Sequence, residues 1–142
     1  MLEQISRPDL VRTENFIGGK WQPAASGKRF SVSDPSTGTE LIEVADSESR
    51  DALWAVDAAK AAEPGWRATT ARERAQLLKK WRNLIEDNAE DLAMLMAFEM
   101  GKLLGEARGE VAYGASYVEW FAEEAVRAHG DMAPRIIAGN RQ

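Results

Sequence analysis

Two rhythms divide the chain. Up to about residue 45, short runs of strand formers alternate with clusters of Gly, Pro, Asp and Ser. Beyond it, apolar positions recur every three or four residues, which places them along one side of a helix. Asn15-Phe16-Ile17-Gly18-Gly19-Lys20-Trp21 predicts a small hairpin, with Gly18-Gly19 supplying the positive φ of a tight turn. Pro23 to Lys28 reads as a loop, Phe30 to Ser33 as a strand, Asp34-Pro35-Ser36-Thr37-Gly38 as a turn and Glu40 to Ala45 as a further strand. The first third is therefore expected to be a small antiparallel unit. Residues 1–14 are polar and mixed, and read as a loosely held arm or a short helix.

The second rhythm predicts helices. Ser47 is the expected cap of the first, Glu48 lies in its first turn, and Pro64-Gly65 is its expected end. Thr70-Ala71-Arg72-Glu73 has the spacing of a capping box. Leu77, Leu78, Trp81, Leu84 and Ile85 form the stripe of the next helix. A break with a new cap is expected at Asn88 to Asp91, and the stripe resumes at Leu92, Leu95, Met96 and Phe98. Gly101 is suited to close that helix. The last helix is expected from about Leu104 to Arg127. Pro134 stops any further helix, and Ile136-Ile137 reads as a strand without its sheet. Trp54, Trp66 and Trp81 are expected as packing anchors. Gly109 and Gly114 weaken a helix interior, and close approach of another segment would account for them.

Composition narrows the chemistry. The 142 residues are ample for one domain, and 44% hydrophobic with 29% charged residues is ordinary for a soluble protein. A net charge of -5 argues against nucleic acid and anionic membrane as partners. No run approaches the ~20 apolar residues of a membrane span. The N-terminus lacks the apolar core of a signal peptide, so a cytoplasmic protein is expected. Without cysteine there is no thiol nucleophile and no thiolate metal site. His129, the one histidine, has neighbours that suit a helix end better than a catalytic base, which needs a placed partner. No GxGxxG or GxxxxGK[ST] loop is present, and Gly101-Lys102 has no preceding strand to make it a phosphate loop. Glu99, Glu106 and Glu110 invite an acid–base reading, but Lys102 and Arg108 lie close enough to pair with them, which favours structural or surface roles. Tyr113, Tyr117 and Trp120 share one helical face, open to two readings, a lining of some cavity or packing within a helical layer.

The order of these pieces resembles the N-terminal part of the aldehyde dehydrogenase superfamily. The landmarks are Phe16-Ile17-Gly18-Gly19-Lys20-Trp21, Asp34-Pro35-Ser36-Thr37-Gly38, Thr70 to Ala75, and Glu99-Met100-Gly101-Lys102 with Glu106-Ala107. Gly109-Glu110, Ala112-Tyr113, Glu119 to Glu124, Gly130-Asp131 and Pro134 look most like the succinate-semialdehyde dehydrogenase branch. The resemblance covers about Asn15 to Pro134 and departs at Leu103, where the family commonly has proline after Gly-Lys.

The resemblance implies an α/β fold, a small antiparallel strand unit followed by a mostly helical layer. Residues 1–129 would be the N-terminal part of the cofactor-binding, Rossmann-like domain, and 130–142 the start of the oligomerisation or bridging strand region. It implies NAD(P)+-dependent oxidation of an aldehyde, most naturally succinate semialdehyde to succinate. That reaction needs a cysteine thiolate, a glutamate base and a held dinucleotide. In the family all three lie beyond the segment resembled. The chain is therefore expected to be a fragment, inactive alone, with no catalytic, cofactor-binding or metal-binding residue of its own and no bound NAD or NADP. Tyr113, Tyr117 and Trp120 would line the substrate tunnel. Homo-oligomerisation or association with a missing C-terminal part is expected, as is self-association of the isolated chain. The alternative is a non-catalytic truncated or split-gene product acting as a helical interaction module.

Overall fold

The computed structural model describes residues 2–130. The expectations for the tail from residue 131 onward, the stop at Pro134, the strand at Ile136-Ile137 and most of the 130–142 bridging region, lie outside these residues.

The strand-rich start is two separate two-stranded antiparallel sheets, β1 (Asn15–Ile17) with β2 (Lys20–Gln22) and β3 (Arg29–Ser33) with β4 (Glu40–Ala45). Gly18 at φ 60° and Gly19 at φ 78° make the expected hairpin turn, and both φ values lie where a Cβ is unwelcome. The turn sets Phe16 opposite Trp21, with ring centroids 4.9 Å apart. The Arg12 guanidinium lies over the Trp21 ring at 4.9 Å. In the second sheet Phe30 faces Val44 and Val32 faces Ile42, with a bulge at Val32/Ser33. The turn between β3 and β4 is built on Asp34. Its carboxylate accepts from the Ser36 amide at 2.7 Å and the Ser36 hydroxyl at 2.6 Å, and its carbonyl accepts from the Gly38 amide at 2.8 Å.

Four helices follow, α1 (Ser49–Ala68), α2 (Ala71–Asp87), α3 (Ala89–Met100) and α4 (Leu104–Glu124). The cap of α1 is Glu48 rather than Ser47. Asp51, three residues on, accepts the Glu48 amide at 2.9 Å and, with its other oxygen, the Ala25 amide at 2.7 Å. That second bond fixes the Pro23–Lys28 loop and shifts the cap by one residue. The Ser47 hydroxyl turns instead to Asn15.

Helix α1 does not end at Pro64-Gly65. It continues to Ala68 and closes at Thr69. Proline removes one amide and crowds the carbonyl four residues earlier, but this stretch is exposed, where solvent can satisfy that carbonyl. The last turn is then held by the Thr69 hydroxyl on the Trp66 carbonyl at 2.6 Å and by an Arg67–Glu63 ion pair. The capping box of α2 is as expected, with the Glu73 amide donating to Thr70 Oγ1 at 3.2 Å and the Thr70 amide to Glu73 Oε2 at 2.7 Å. Gly101, at φ 68°, closes α3. A Cβ there would stand 2.9 Å from Pro35 Cγ, so glycine also lets the β3–β4 turn dock against the helix.

The core lies where α4 packs along α2 and α3. Ala93, Ala107 and Val111 are buried at its centre, flanked by Ile85, Ala89, Leu92, Met96 and Leu104. Small residues let the helix axes approach closely. The expected α2 stripe splits. Leu78 and Ile85 are half-buried beside buried Ala75, whereas Leu77, Trp81 and Leu84 are more exposed than not. Trp54 and Trp66 are also exposed, so none of the three tryptophans anchors packing among the described residues. The expected close neighbours of Gly109 and Gly114 are absent too, with nothing described within 4 Å of where either Cβ would stand.

The N-terminal segment is held rather than loose. It forms 3₁₀ turns at Leu2–Gln4 and Pro8–Leu10, and Ile5 between them is buried. Asp91, in the first turn of α3, accepts the Ser6 amide at 2.9 Å and the Arg7 amide at 3.0 Å. The polar composition of the arm hides this because the partner lies over eighty residues away.

Candidate functional site

The residues singled out for a site all belong to α4, so its placement decides what they can do. The inner line Ala107, Val111, Ala115 and Ala122 is buried. Ion pairs orient the helix along its flanks. Arg108 grips Glu90 of α3 with two bonds at 2.8 and 2.7 Å, and Arg82 of α2 reaches Glu119 at 3.7 Å. The guanidinium of Arg108 holds the Glu90 carboxyl below its ordinary pKa, so the pair stays charged at neutral pH. Lys102 pairs with Glu110 across the start of the helix.

These pairings bear on the acid–base reading. Glu110 is paired with Lys102, and Arg108 is taken up by Glu90 of α3 rather than by Glu106. They also answer whether the residues present fit a dinucleotide. Gly101 is the left-handed cap that ends α3, not a turn between strand and helix. The Lys102 ammonium is engaged by Glu110. The N-terminus of α4 has no side-chain cap hydrogen bond and no glycine-rich approach. Gly101, Lys102 and the start of α4 therefore do not make a glycine-rich phosphate loop. No group of three or more His, Cys, Asp or Glu that could hold a metal ion occurs among them. His129 follows α4, its Nδ1 2.7 Å from the Arg127 carbonyl oxygen. That nitrogen therefore carries a proton, in keeping with the helix-end reading.

Tyr113, Tyr117 and Trp120 are brought together on the side of α4 turned away from α2 and α3. They are 63%, 49% and 63% exposed, which removes the reading that they pack within the helical layer described. The Tyr113 and Tyr117 hydroxyls are 2.7 Å apart, and their rings meet edge to face with centroids at 4.9 Å. Hydrogen bonding to Tyr117, and then burial, raise the Tyr113 pKa above the usual tyrosine range. The Tyr113 phenol is thus a neutral hydrogen-bonding group near pH 7. Tyr117 and Trp120 line an open depression of about 520 Å³ together with Ser116, Glu119, Phe121 and Glu123. Tyr113 touches this depression only through Tyr117. Phe121 belongs with the three aromatics, and its place in the run Trp120-Phe121 was the available signal. A second cavity of about 340 Å³ lies between the arm, the β3–β4 sheet and α3, lined by Leu10, Val32, Ile42, Leu95 and Phe98 among others. No local pattern could have disclosed it, since its walls come from three distant stretches.

The chain is 45% identical over 141 residues to 3-sulfolactaldehyde dehydrogenase of Pseudomonas putida, covering 99% of this chain and 29% of that protein. It is 43% identical to the NADP(+) succinate-semialdehyde dehydrogenase GabD of Escherichia coli (strain K12), covering 97% of this chain and 29% of the relative. A crystal structure of succinate-semialdehyde dehydrogenase from Burkholderia pseudomallei superimposes with a TM-score of 0.91 at 46% identity, covering 94% of this chain and 28% of that one. The chain therefore spans under a third of the length of these relatives, and what it matches is their N-terminal part. Residues 21–141 match the aldehyde dehydrogenase family model, and the chain belongs to that family.

Proposed function

We propose that this chain supplies the N-terminal strands and helical layer of an NAD(P)+-dependent aldehyde dehydrogenase that oxidises succinate semialdehyde to succinate. The observation that carries the reading is likeness to succinate-semialdehyde dehydrogenases along nearly the whole chain. The named substrates of the relatives include 3-sulfolactaldehyde and succinate semialdehyde, both aldehydes that also bear an anionic group. The chain contains no cysteine, so the thiol nucleophile comes from other polypeptide, as does the surface that holds the dinucleotide. No reaction step is assigned to these residues. Their part is to position and enclose. Residues 1–129 belong to the cofactor-binding domain, and 130–142 lead into a bridging strand region of a homo-oligomer that works in the cytoplasm. Tyr113, Tyr117 and Trp120 wall the path of the aldehyde, with the phenols as hydrogen-bonding groups and the indole excluding water.

The test is a chimera in which this chain replaces the matched N-terminal segment of the Escherichia coli relative. Purified chain alone should form no NAD(P)H with succinate semialdehyde. The chimera should do so, with kcat/KM at least ~10-fold above that for an uncharged aldehyde of equal length. Turnover by the chain alone, or loss of that preference in a folded chimera, would overturn the proposal. A competing reading, a non-catalytic helical interaction module, draws on the absence of cysteine and the exposed aromatic face. It is favoured if the folded chimera is inert.

A further inference from the structure

The recess of about 340 Å³ between the N-terminal arm, the β3–β4 sheet and α3 has walls set by separate devices. Val32 and Ile42 are cross-strand partners, which brings two aliphatic side chains to one place on the sheet. Asp91, Leu95 and Phe98 fall on one side of α3 at ~100° per residue. Asp91 ties the Ser6 and Arg7 amides at one end of that side. Leu10 to Arg12 then complete the wall beside Leu95, Phe98 and Glu99.

Leu10, Val32, Ile42, Leu95 and Phe98 are each only half-buried around this space. Apolar side chains left half-covered gain from an apolar filling, and water among them would find few partners. The volume falls within the ~300–1,000 Å³ of small-molecule sites. Two charged side chains reach the same recess, Arg12 from the arm and Glu99 from the end of α3. Among the described residues neither forms an ion pair, with the other or with any further group. The Arg12 guanidinium lies over the Trp21 ring at 4.9 Å. A ring contact consumes none of its N–H groups, so two of them can still meet a carboxylate. Opposite charges that share a recess without pairing suit a ligand that carries both. The aliphatic interior adds the requirement of an apolar side chain.

We propose that this recess binds a free aliphatic α-amino acid of the leucine class. Its carboxylate meets Arg12, its ammonium meets Glu99, and its side chain enters among Val32, Ile42, Leu95 and Phe98. Both charges of such a ligand sit on one carbon, so they stay at the rim while the side chain goes inward. None of Tyr113, Tyr117 and Trp120 lines the recess, so the inference stands apart from the proposed aldehyde path.

Isothermal titration calorimetry on the 142-residue chain tests it with L-leucine and three analogues that each lack one element. Glycine lacks the side chain, 4-methylpentanoate the ammonium and 3-methylbutylamine the carboxylate. L-leucine should bind saturably with a Kd of ~1 mM or tighter, and at least ~10-fold tighter than each analogue. Glu99→Gln should weaken leucine at least ~10-fold and leave 4-methylpentanoate unchanged. Glu99 is exposed in the last turn of α3, so the fold is not at stake in that variant. Arg12→Gln should weaken leucine alike and leave 3-methylbutylamine unchanged. Leu95→Trp fills the recess and should abolish leucine binding, and Val32→Phe takes its place if that variant does not fold. The proposal is overturned if leucine shows no saturable binding up to ~10 mM, if glycine binds as tightly, or if Glu99→Gln leaves the leucine affinity unchanged. Binding of 4-methylpentanoate or of 3-methylbutylamine as tight as that of leucine overturns it too, the first leaving a site for apolar anions and the second a site for apolar cations. Leucine binding by the chain beside a chimera with no preference for succinate semialdehyde would sink the substrate proposal and leave this one standing.

Discussion

The strand-and-turn region and the helical layer are held by opposite means. In the first, three buried aspartates do much of the joining. Asp34 organises the β3–β4 turn, Asp51 ties the Pro23–Lys28 loop to α1, and Asp91 ties the N-terminal arm to α3. Each carboxylate accepts amides that would otherwise be orphaned. In the second, the seam is lined by Ala93, Ala107, Val111 and their neighbours, and close packing fills it, with the Arg108–Glu90 and Arg82–Glu119 ion pairs only at its flanks. A directed bond tolerates exposure around it, while close packing of alanines tolerates almost no change in volume. The turns can therefore be complete with little apolar cover, and the helices cannot.

Substitutions sharpen the contrast. Ala107→Leu should be the most damaging, at about 1–3 kcal/mol, because Ala107 is fully buried where α4 meets α3 and the added methylenes have nowhere to go; urea unfolding at constant m-value checks it. Gly101→Ala should cost about 1–2 kcal/mol, since an L-residue is strained at positive φ. The approach of Pro35 adds to that, and a Gly101→Ala/Pro35→Ala pair should recover part of the loss in a double-mutant cycle.

The aspartate joints should respond to acid. Hydrogen bonds from the Glu48 and Ala25 amides hold the Asp51 carboxyl below its ordinary range. Ser36 does the same for Asp34. A carboxyl depressed in the folded state stabilises the fold above its unfolded pKa of about 4. That contribution is lost as pH falls from there through the folded value. Asp51→Asn should thus melt lower than the parent at pH 7, with the gap closing toward pH 3. A gap that stays constant would detach the effect from ionisation. The smallest change is expected at Trp81, 56% exposed on α2. Trp81→Ala should alter the stability of the isolated chain by no more than about 0.5 kcal/mol. A large loss would restore it as an anchor.

Local chemistry written within a few residues was legible in the sequence. The hairpin at Gly18-Gly19, the turn at Asp34, the Thr70–Glu73 capping box and the cap at Gly101 each depend on neighbours in the chain, and each stands where the pattern placed it. The shared face of Tyr113, Tyr117 and Trp120 followed from helical period alone. Misreadings arose where a distant partner decided. The α1 cap moved because Asp51 also serves Ala25, the arm was fixed by Asp91, and the Trp54, Trp66 and Trp81 rings lie outside the packing described.

The sequence by itself determined the order and nature of the elements, the family they belong to, and the lack of a thiol. Those are encoded in spacing and composition. Only the tertiary structure decided which side of each amphipathic helix is covered. Periodicity states that a face is apolar, but it carries no information about what stands opposite. For α4 the answer was an alanine line turned inward and an aromatic line turned outward, because the short side chains alone permit the close approach of α2 and α3.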